Sequence, residues 1–216
     1  MNIFVAIILP IAAYIIGSIS SAVWIARTFH NIDIREHGSK NAGATNILRV
    51  LGTKAAIPVF LFDILKGILA VLLVRFTNLE NNTEAYNGYE IVLGTCAVLG
   101  HIFPLFASFK GGKGVATIAG FLLAINPGSM ALTLCVFAIC LSITHYVSLS
   151  SIVGAISFPF IVIFLFGFWL RPEATTLTMK VFSVIAAGII VTTHHKNIKR
   201  LLNGTESKIS FKKKNL

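Results

Sequence analysis

AAIPVFLFDILKGILAVLLV, the stretch Ala55–Val74, decides the fold, because its only charged residues are Asp63 and Lys66. At a rise of about 1.5 Å per residue, roughly 20 apolar residues cross a hydrocarbon core ~30 Å thick. Ile3–Ile25, Ile91–Phe109 and Ile152–Leu170 come close to the same length, and Met179–Thr193 is a shorter run. Val115–Ile125 would reach only about 16 Å as a helix, and Asn126-Pro127-Gly128-Ser129 separates it from Met130–Tyr146. Composition agrees with a lipid solvent. A chain of 216 residues, 56% hydrophobic and 12% charged, with mean hydropathy +0.84, has too little polar surface to cover a soluble globule. The pattern predicts an all-α integral membrane protein.

Orientation follows from Lys and Arg, whose excess marks the cytoplasmic loops. Fourteen of the 18 basic residues fall on one side: Arg27, Arg35, Lys40, Arg49 and Lys54, then Lys110 and Lys113, then Lys196, Lys199, Arg200, Lys208 and Lys212–Lys214. Arg75, Arg171 and Lys180 fall on the other, together with Glu80, Glu84, Glu90 and Glu173. The N-terminus is therefore expected outside and the C-terminus in the cytoplasm. A cytoplasmic tail requires that Val115–Ile125 and Met130–Tyr146 both cross or that neither does, and both crossing gives a bundle of about seven transmembrane helices, the fourth short or starting within a glycine loop. The formal charge of +10 is then mostly a topology signal, with no nucleic-acid partner implied. The first apolar stretch lacks a basic region ahead of it and is followed by Arg27, which suits an anchor better than a cleaved signal. Cys96, Cys135 and Cys140 lie within apolar runs at no metal-ligand spacing, and read as small buried apolar residues.

Three polar clusters interrupt the apolar chain and are expected on the cytoplasmic face. Asp33–Gly52, DIREHGSKNAGATNILRVLG, crowds Gly38, Ser39, Asn41, Gly43, Thr45 and Asn46 ahead of Arg49. It reads as a loop offering amides and hydroxyls to an anion, with a two-pronged contact from the guanidinium. In the second cluster, Gly111, Gly112 and Gly114 leave the backbone bare around Lys113 just before an apolar helix, so amide donors, a helix N-terminus and an ammonium would meet at one place. It is not a nucleotide P-loop, since Gly114 stands where Ser or Thr is needed and Ala107 where Gly is needed. The third joins YVSLSS, Tyr146–Ser151, to HHKNIKRLLNGTE, His194–Glu206. If that end is helical, His194 and Asn197 at i and i+3 share a face. Asp63 and Lys66 have the same spacing inside a span, where structural pairing and a functional role both fit.

GSKNAGATN with Arg49, GHIFPLFASFKGGKGVAT (Gly100–Thr117) and HHKNIKRLLNGTE together resemble the three motifs of the bacterial membrane glycerol-3-phosphate acyltransferases that use acyl phosphate as donor, the PlsY family. The likeness runs from Gly17 to Glu206. It implies a seven-helix bundle, a single acyltransferase domain over residues 1–216, in the bacterial cytoplasmic (inner) membrane. The implied reaction transfers a fatty acyl group from acyl phosphate to the 1-hydroxyl of sn-glycerol 3-phosphate, giving lysophosphatidic acid and phosphate, the first acylation of bacterial phospholipid synthesis. Carried over residue by residue, the implied site has His194, Asn197 and Lys113 as catalytic residues. Ser39, Arg49, Ser151 and the loop Gly111, Gly112 and Gly114 would bind substrate, with Asn41, Thr45, Asn46 and Glu206 in support. Two departures stand out: Thr193 occupies the position where the family commonly has Arg, with Lys196 nearby, and His195 follows His194.

This residue inventory suits the chemistry. Acyl phosphate is a mixed anhydride, so the protein must align two phosphorylated substrates, neutralise charge and stabilise an oxyanion, with no covalent nucleophile, metal or cofactor. His194 fits either a general base or a group that positions phosphate. Thioester-dependent acyltransferases commonly carry a His followed five residues later by Asp. Five positions on from His30, His37, His101, His145, His194 and His195 stand Arg35, Ala42, Phe106, Ser150, Lys199 and Arg200, none of them acidic. A transporter would place its glycine breaks near the midplane, often in repeated halves, and a metal-dependent phosphotransferase needs clustered carboxylates. This chain has no visible repeat and has only Asp33 and Asp63 as aspartates.

Overall fold

The computed structural model describes residues 2–81, 83–170 and 175–209, and among them every regular element is helical. Arg171, Glu173 and Lys212–Lys214, which contribute to the charge asymmetry, lie outside the described residues. The chain forms two compact units, the first containing Met1–Asn78 and Val92–Ala124, the second Leu79–Ile91 and Ile125–Ser210.

In the first unit, α1 (Ile3–Gly17) starts at Asn2, whose side chain accepts from the Phe4 amide at 3.0 Å. The sequence predicts one helix on to Ile25. The chain instead breaks at residues 18–20 and restarts as α2 (Ser21–His30). The break turns the Ile19 carbonyl out of the helical ladder, and it accepts from Lys66 Nζ at 3.0 Å. Beyond α2, the Asp33–Gly52 stretch is only partly loop. Ala44–Leu51 forms α3, flanked by Gly43 and by Gly52 at φ 83°. Its residues Ile47, Leu48, Val50 and Leu51 pack with Ala26, Ile34 and Val59, and this burial favours helix over the turn propensity of the flanking glycines.

α4 (Thr53–Leu72) is followed by α5 (Glu84–Ile102), whose helix lies several residues earlier than the expected Ile91–Phe109. Pro104 disfavours helical backbone just before it. A short three-ten turn, Leu105–Ala107, follows, with Ser108 and Phe109 at φ 53° and 57°. α6 (Val115–Ile125) falls where the sequence predicts. Glycines let these helices cross at backbone contact: a Cβ at Gly17 would strike the Ala97 carbonyl and one at Gly100 the Tyr14 carbonyl. The same reciprocity joins α4 to α6, Gly67 facing the Thr117 carbonyl and Gly120 the Ile64 carbonyl. Small residues of this kind are what close helix packing in lipid requires.

In the second unit, α7 (Pro127–Thr144) is capped by Asn126, which accepts from the Ser129 amide at 3.1 Å. His145, at φ 61°, turns the chain into α8 (Val147–Phe160), which continues as the π-helix Ile161–Leu170. α9 (Leu177–Thr193) is tied to Glu84 by Thr178, whose hydroxyl donates at 2.5 Å. At His194 the axis bends by 60° into α10 (His195–Leu202).

Among the described residues, five runs are long and apolar enough to cross a bilayer: Ile3–His30, Thr53–Phe76, Glu84–Ala107, Pro127–Thr144 and Val147–Leu170. The bent pair α9 and α10 makes a sixth if it is one span, and α6 is a shorter apolar helix. The expectation of an all-α membrane protein is met.

Gly67→Ala places a methyl group against the Thr117 backbone, and overpacking of that kind costs about 1–3 kcal/mol. At Gly188 nothing lies within 4 Å, so alanine there should be neutral or gain up to ~1 kcal/mol. Thermal unfolding of the detergent-solubilised protein should separate the two, with only Gly67→Ala lowered. Equal midpoints would remove the close crossing.

Candidate active site

Asn46 organises the first polar cluster. It is 1% exposed; its Oδ1 accepts from the Ser39 amide at 2.8 Å, and its Nδ2 donates to the carbonyls of Ile34 (3.1 Å) and His37 (3.0 Å). Both ends of the amide are thus committed to the loop, so Asn46 fixes Ser39 rather than meeting a ligand. Gly38 has φ +58°, and a Cβ there would strike Asn46 Oδ1. Asn41 is half-buried beside Gly43. Thr45 and Arg49, at i and i+4, share the exposed face of α3. Among the described residues Arg49 makes no side-chain ion pair or hydrogen bond, which leaves its guanidinium available to an anion.

Asp33 gathers three groups. Arg35 donates from Nε (2.9 Å) and Nη2 (2.6 Å), its amide donates at 3.0 Å, and Arg27 Nη2 donates at 2.7 Å. The Arg35 side-chain bonds are the main reason the carboxyl lies well below the usual range, and Asp33 in turn raises Arg35. Arg35 Nη1 also donates to the Ala107 carbonyl at 2.7 Å, tying the first cluster to the second.

The glycine loop corrects one expectation. The Gly111 amide donates to the Ile102 carbonyl and the Gly112 amide to that of His101, each at 3.1 Å, so neither stands bare for a phosphate. These glycines serve close packing instead: a Cβ at Gly111 would strike the His101 carbonyl, and one at Gly112 would strike His101 Nε2 and lie 3.0 Å from the Ala42 carbonyl. Lys113 is half-buried and Gly114 turns the chain at φ +83° into α6. The first amide to reach back is that of Ile118, to Gly114, at 2.8 Å. The amides of Val115, Ala116 and Thr117 precede the helical ladder and carry the positive end of the helix.

In the second unit the organiser is Glu206, 9% exposed. Oε1 accepts from Asn197 Nδ2 (2.9 Å) and Ser148 Oγ (3.1 Å), and Oε2 from Arg200 Nε (2.6 Å). Burial works to raise the carboxyl, but the bonds from Arg200, Asn197 and Ser148 outweigh it and hold it below the ordinary value. The bond to Glu206 fixes which end of the Asn197 side-chain amide is the nitrogen. His194 is 2% exposed and its Nδ1 lies 2.7 Å from the Ile190 carbonyl. A carbonyl only accepts, so Nδ1 carries the proton and the lone pair of the neutral ring is on Nε2. His194 closes α9 and Asn197 sits in the first turn of α10, so the expected single helical face is replaced by a bend, across which the Asn197 amide donates to the His194 carbonyl at 2.8 Å. His195 is exposed, Thr193 bonds back to Ile190, and Lys196 is exposed. Ser151 lies one turn beyond Ser148 on α8 and bonds back to the Val147 carbonyl at 2.8 Å.

The sequence-predicted residues are thus joined within each unit: Ser39 with Asn46 in the first, Asn197 with Glu206 in the second. Arg35, Ser148, Arg200 and His101 were not singled out. Each lies within one of the quoted polar clusters, which is its only local signal; the long-range partners, Ala107 for Arg35, Glu206 for Ser148 and Asp63 for His101, are set by the fold. Among the described residues no group of three or more His, Cys, Asp or Glu side chains is placed to hold a metal ion.

Glu206→Gln removes the charge that Arg200 and Asn197 bond, a loss of about 1–3 kcal/mol at neutral pH. Because the folded group ionises below the ordinary value of 4.5, its stabilisation is present above that value and is lost as pH falls through the lower one. Thermal midpoints of the two proteins should differ at neutral pH and draw together under acid conditions. A gap that widens in acid would contradict the assignment.

The sequence model of the family described as glycerol-3-phosphate acyltransferase matches residues 7–204. The chain is 43% identical over 230 residues to the glycerol-3-phosphate acyltransferase of Chlorobaculum parvum, covering 96% of this chain and 97% of that one. It is 43% identical over 205 residues to that of Listeria monocytogenes, covering 95% and 97%. Among solved structures it is similar to the glycerol 3-phosphate form of PlsY (YgiH), an integral membrane glycerol 3-phosphate acyltransferase, with TM-score 0.82 and 34% identity over 95% of this chain and 96% of that one. The lysophosphatidic acid form gives a TM-score of 0.79 at 33% identity, with the same coverage. With a likeness that runs along nearly the whole sequence and recurs in three dimensions, the chain belongs to the integral membrane glycerol-3-phosphate acyltransferases, the PlsY family.

Proposed function

We propose that this protein transfers a fatty acyl group from acyl phosphate to the 1-hydroxyl of sn-glycerol 3-phosphate, releasing lysophosphatidic acid and phosphate. The reaction is the first acylation of bacterial phospholipid synthesis, carried out by one domain of seven spans in the cytoplasmic (inner) membrane, N-terminus out and C-terminus in. The observation that carries the reading is the head of α6, where Lys113 and a glycine turn adjoin unpaired first-turn amides in a chain similar over its length to glycerol-3-phosphate acyltransferases.

Each residue has a role that its chemistry supports. Lys113 and the amides at the head of α6 hold a phosphate, with Gly111 and Gly112 shaping the turn. Arg49, on the exposed face of α3 with Thr45, takes a second phosphate through its planar fork, and Ser39 adds a hydroxyl. Asn41 and Asn46 keep that loop in shape. His194 and Asn197 serve the acceptor hydroxyl, Ser151 stands on the α8 face that Ser148 shares, and Glu206 sets Asn197. The hydroxyl oxygen attacks the acyl carbon, the bond from that carbon to the phosphate oxygen breaks, and the hydroxyl proton leaves through His194 or a phosphate oxygen. Donors fixed in place for the developing negative charge supply the acceleration without a covalent intermediate.

Turnover measures this directly. The purified protein should acylate glycerol 3-phosphate from palmitoyl phosphate, remain at background with palmitoyl-coenzyme A, and keep its rate in EDTA. Lys113→Ala and Arg49→Ala should each lose at least about tenfold in kcat/KM, equivalent to ~1.4 kcal/mol or more. Acylation from the thioester with acyl phosphate inert would overturn the choice of donor, and undiminished kinetics in both variants would remove those residues from the site.

Orientation has its own test. Cysteine introduced at Asn81 should react with an impermeant thiol reagent from outside intact cells, whereas cysteine at Lys40 or Ser207 should not. The reverse pattern would invert the map.

A further inference from the structure

Four polar side chains that the proposed reaction does not use are buried together in the first unit. Asp63 is 2% exposed, Lys66 1%, Ser21 3% and His101 7%. One carboxylate oxygen, Asp63 Oδ1, receives Lys66 Nζ at 2.8 Å and Ser21 Oγ at 3.0 Å, with His101 Nδ1 at 3.5 Å. An ion pair that only neutralised two charges in lipid could sit anywhere along α4, and apolar side chains of similar volume often replace such a pair without loss. This one sits against the glycine loop at both ends. His101 offers its backbone carbonyl to the Gly112 amide, the next carbonyl, of Ile102, accepts from Gly111, and the Nε2 edge of its ring fills the space that a Gly112 Cβ would need. On the other side Gly67, next to Lys66, packs on the Thr117 carbonyl in the first turn of α6.

We propose that Asp63 and His101 are positioning residues: the buried carboxylate sets the His101 ring, and the ring and carbonyl of His101 hold the Gly111–Gly112 turn so that Lys113 and the head of α6 meet the substrate phosphate. The inference rests on the phosphate role of Lys113 proposed above and deepens it. Its signature is non-additivity. A residue acting through the placement of Lys113 loses its effect once Lys113 is gone, whereas one that supports the fold at large keeps it.

The experiment is a double-mutant cycle on kcat/KM for palmitoyl phosphate and glycerol 3-phosphate, with thermal midpoints recorded for every variant. His101→Ala should lose at least tenfold in the native background and less than threefold in Lys113→Ala. Because His101→Ala can lose stability, Asp63→Asn combined with Lys66→Met serves as the second entry point, removing both charges so that neither is left buried alone. It should fold and lose at least fivefold, again with little further loss in Lys113→Ala. Equal losses in both backgrounds, native activity in either variant, or failure of both to fold would assign the cluster to the fold alone and overturn the proposal. If Lys113→Ala itself is silent, the phosphate reading falls, and this inference with it; an impaired Lys113→Ala with additive effects overturns only the inference.

Discussion

Lys66 and Asp63 are withdrawn from water almost completely, at 1% and 2% exposure, and an ion pair so buried persists only when its remaining protons and lone pairs are matched. The first unit is arranged around that requirement. The ammonium needs a second acceptor, which the Ile19 carbonyl supplies because the helix breaks between α1 and α2. The carboxylate needs further donors, and Ser21 at the head of α2 supplies one. A continuous first helix would keep the Ile19 carbonyl in its own ladder and leave a buried charge underbonded. The break and the pair therefore require each other, in a solvent that offers no water to either.

Glycine performs two kinds of work that its sequence positions do not distinguish. Gly17, Gly67, Gly100 and Gly120 bring helices to backbone contact, α1 against α5 and α4 against α6. Gly111 and Gly112 pack just as closely, but against His101, and their amides are bonded. Only Gly38, Gly52, Gly114 and Gly204 are at positive φ, where the missing side chain serves the backbone conformation itself. A glycine-rich loop beside a lysine resembles a row of open amides on paper. In this fold the open donors are displaced by a few residues, into the first turn of α6.

Legibility in the sequence followed the range of the interactions. α6 was readable at both ends because Gly114 and Asn126-Pro127 punctuate it, and the Asp63–Lys66 pair because i,i+3 spacing is a local fact. The polar clusters were readable as clusters. The break after α1 was not, since its cause, Lys66, is 47 residues away. α3 was missed because its helicity comes from burying Ile47 against Ile34 and Val59, whereas its local composition favours turns. Asn46 was readable as a supporting member of its cluster but its partners were not, because nothing local shows that Ile34, His37 and Ser39 consume its bonds.

Glu206 and Asn46 stand in parallel roles, each a buried polar group that uses its own bonds to fix a neighbour. Their effect is to fix the orientation of the loop or side chain beside them. Asn197 has its side-chain nitrogen on Glu206, and His194 has Nδ1 on the Ile190 carbonyl. The bond from His194 Nδ1 to the Ile190 carbonyl survives protonation of the imidazole, so the ring keeps its place in either protonation state.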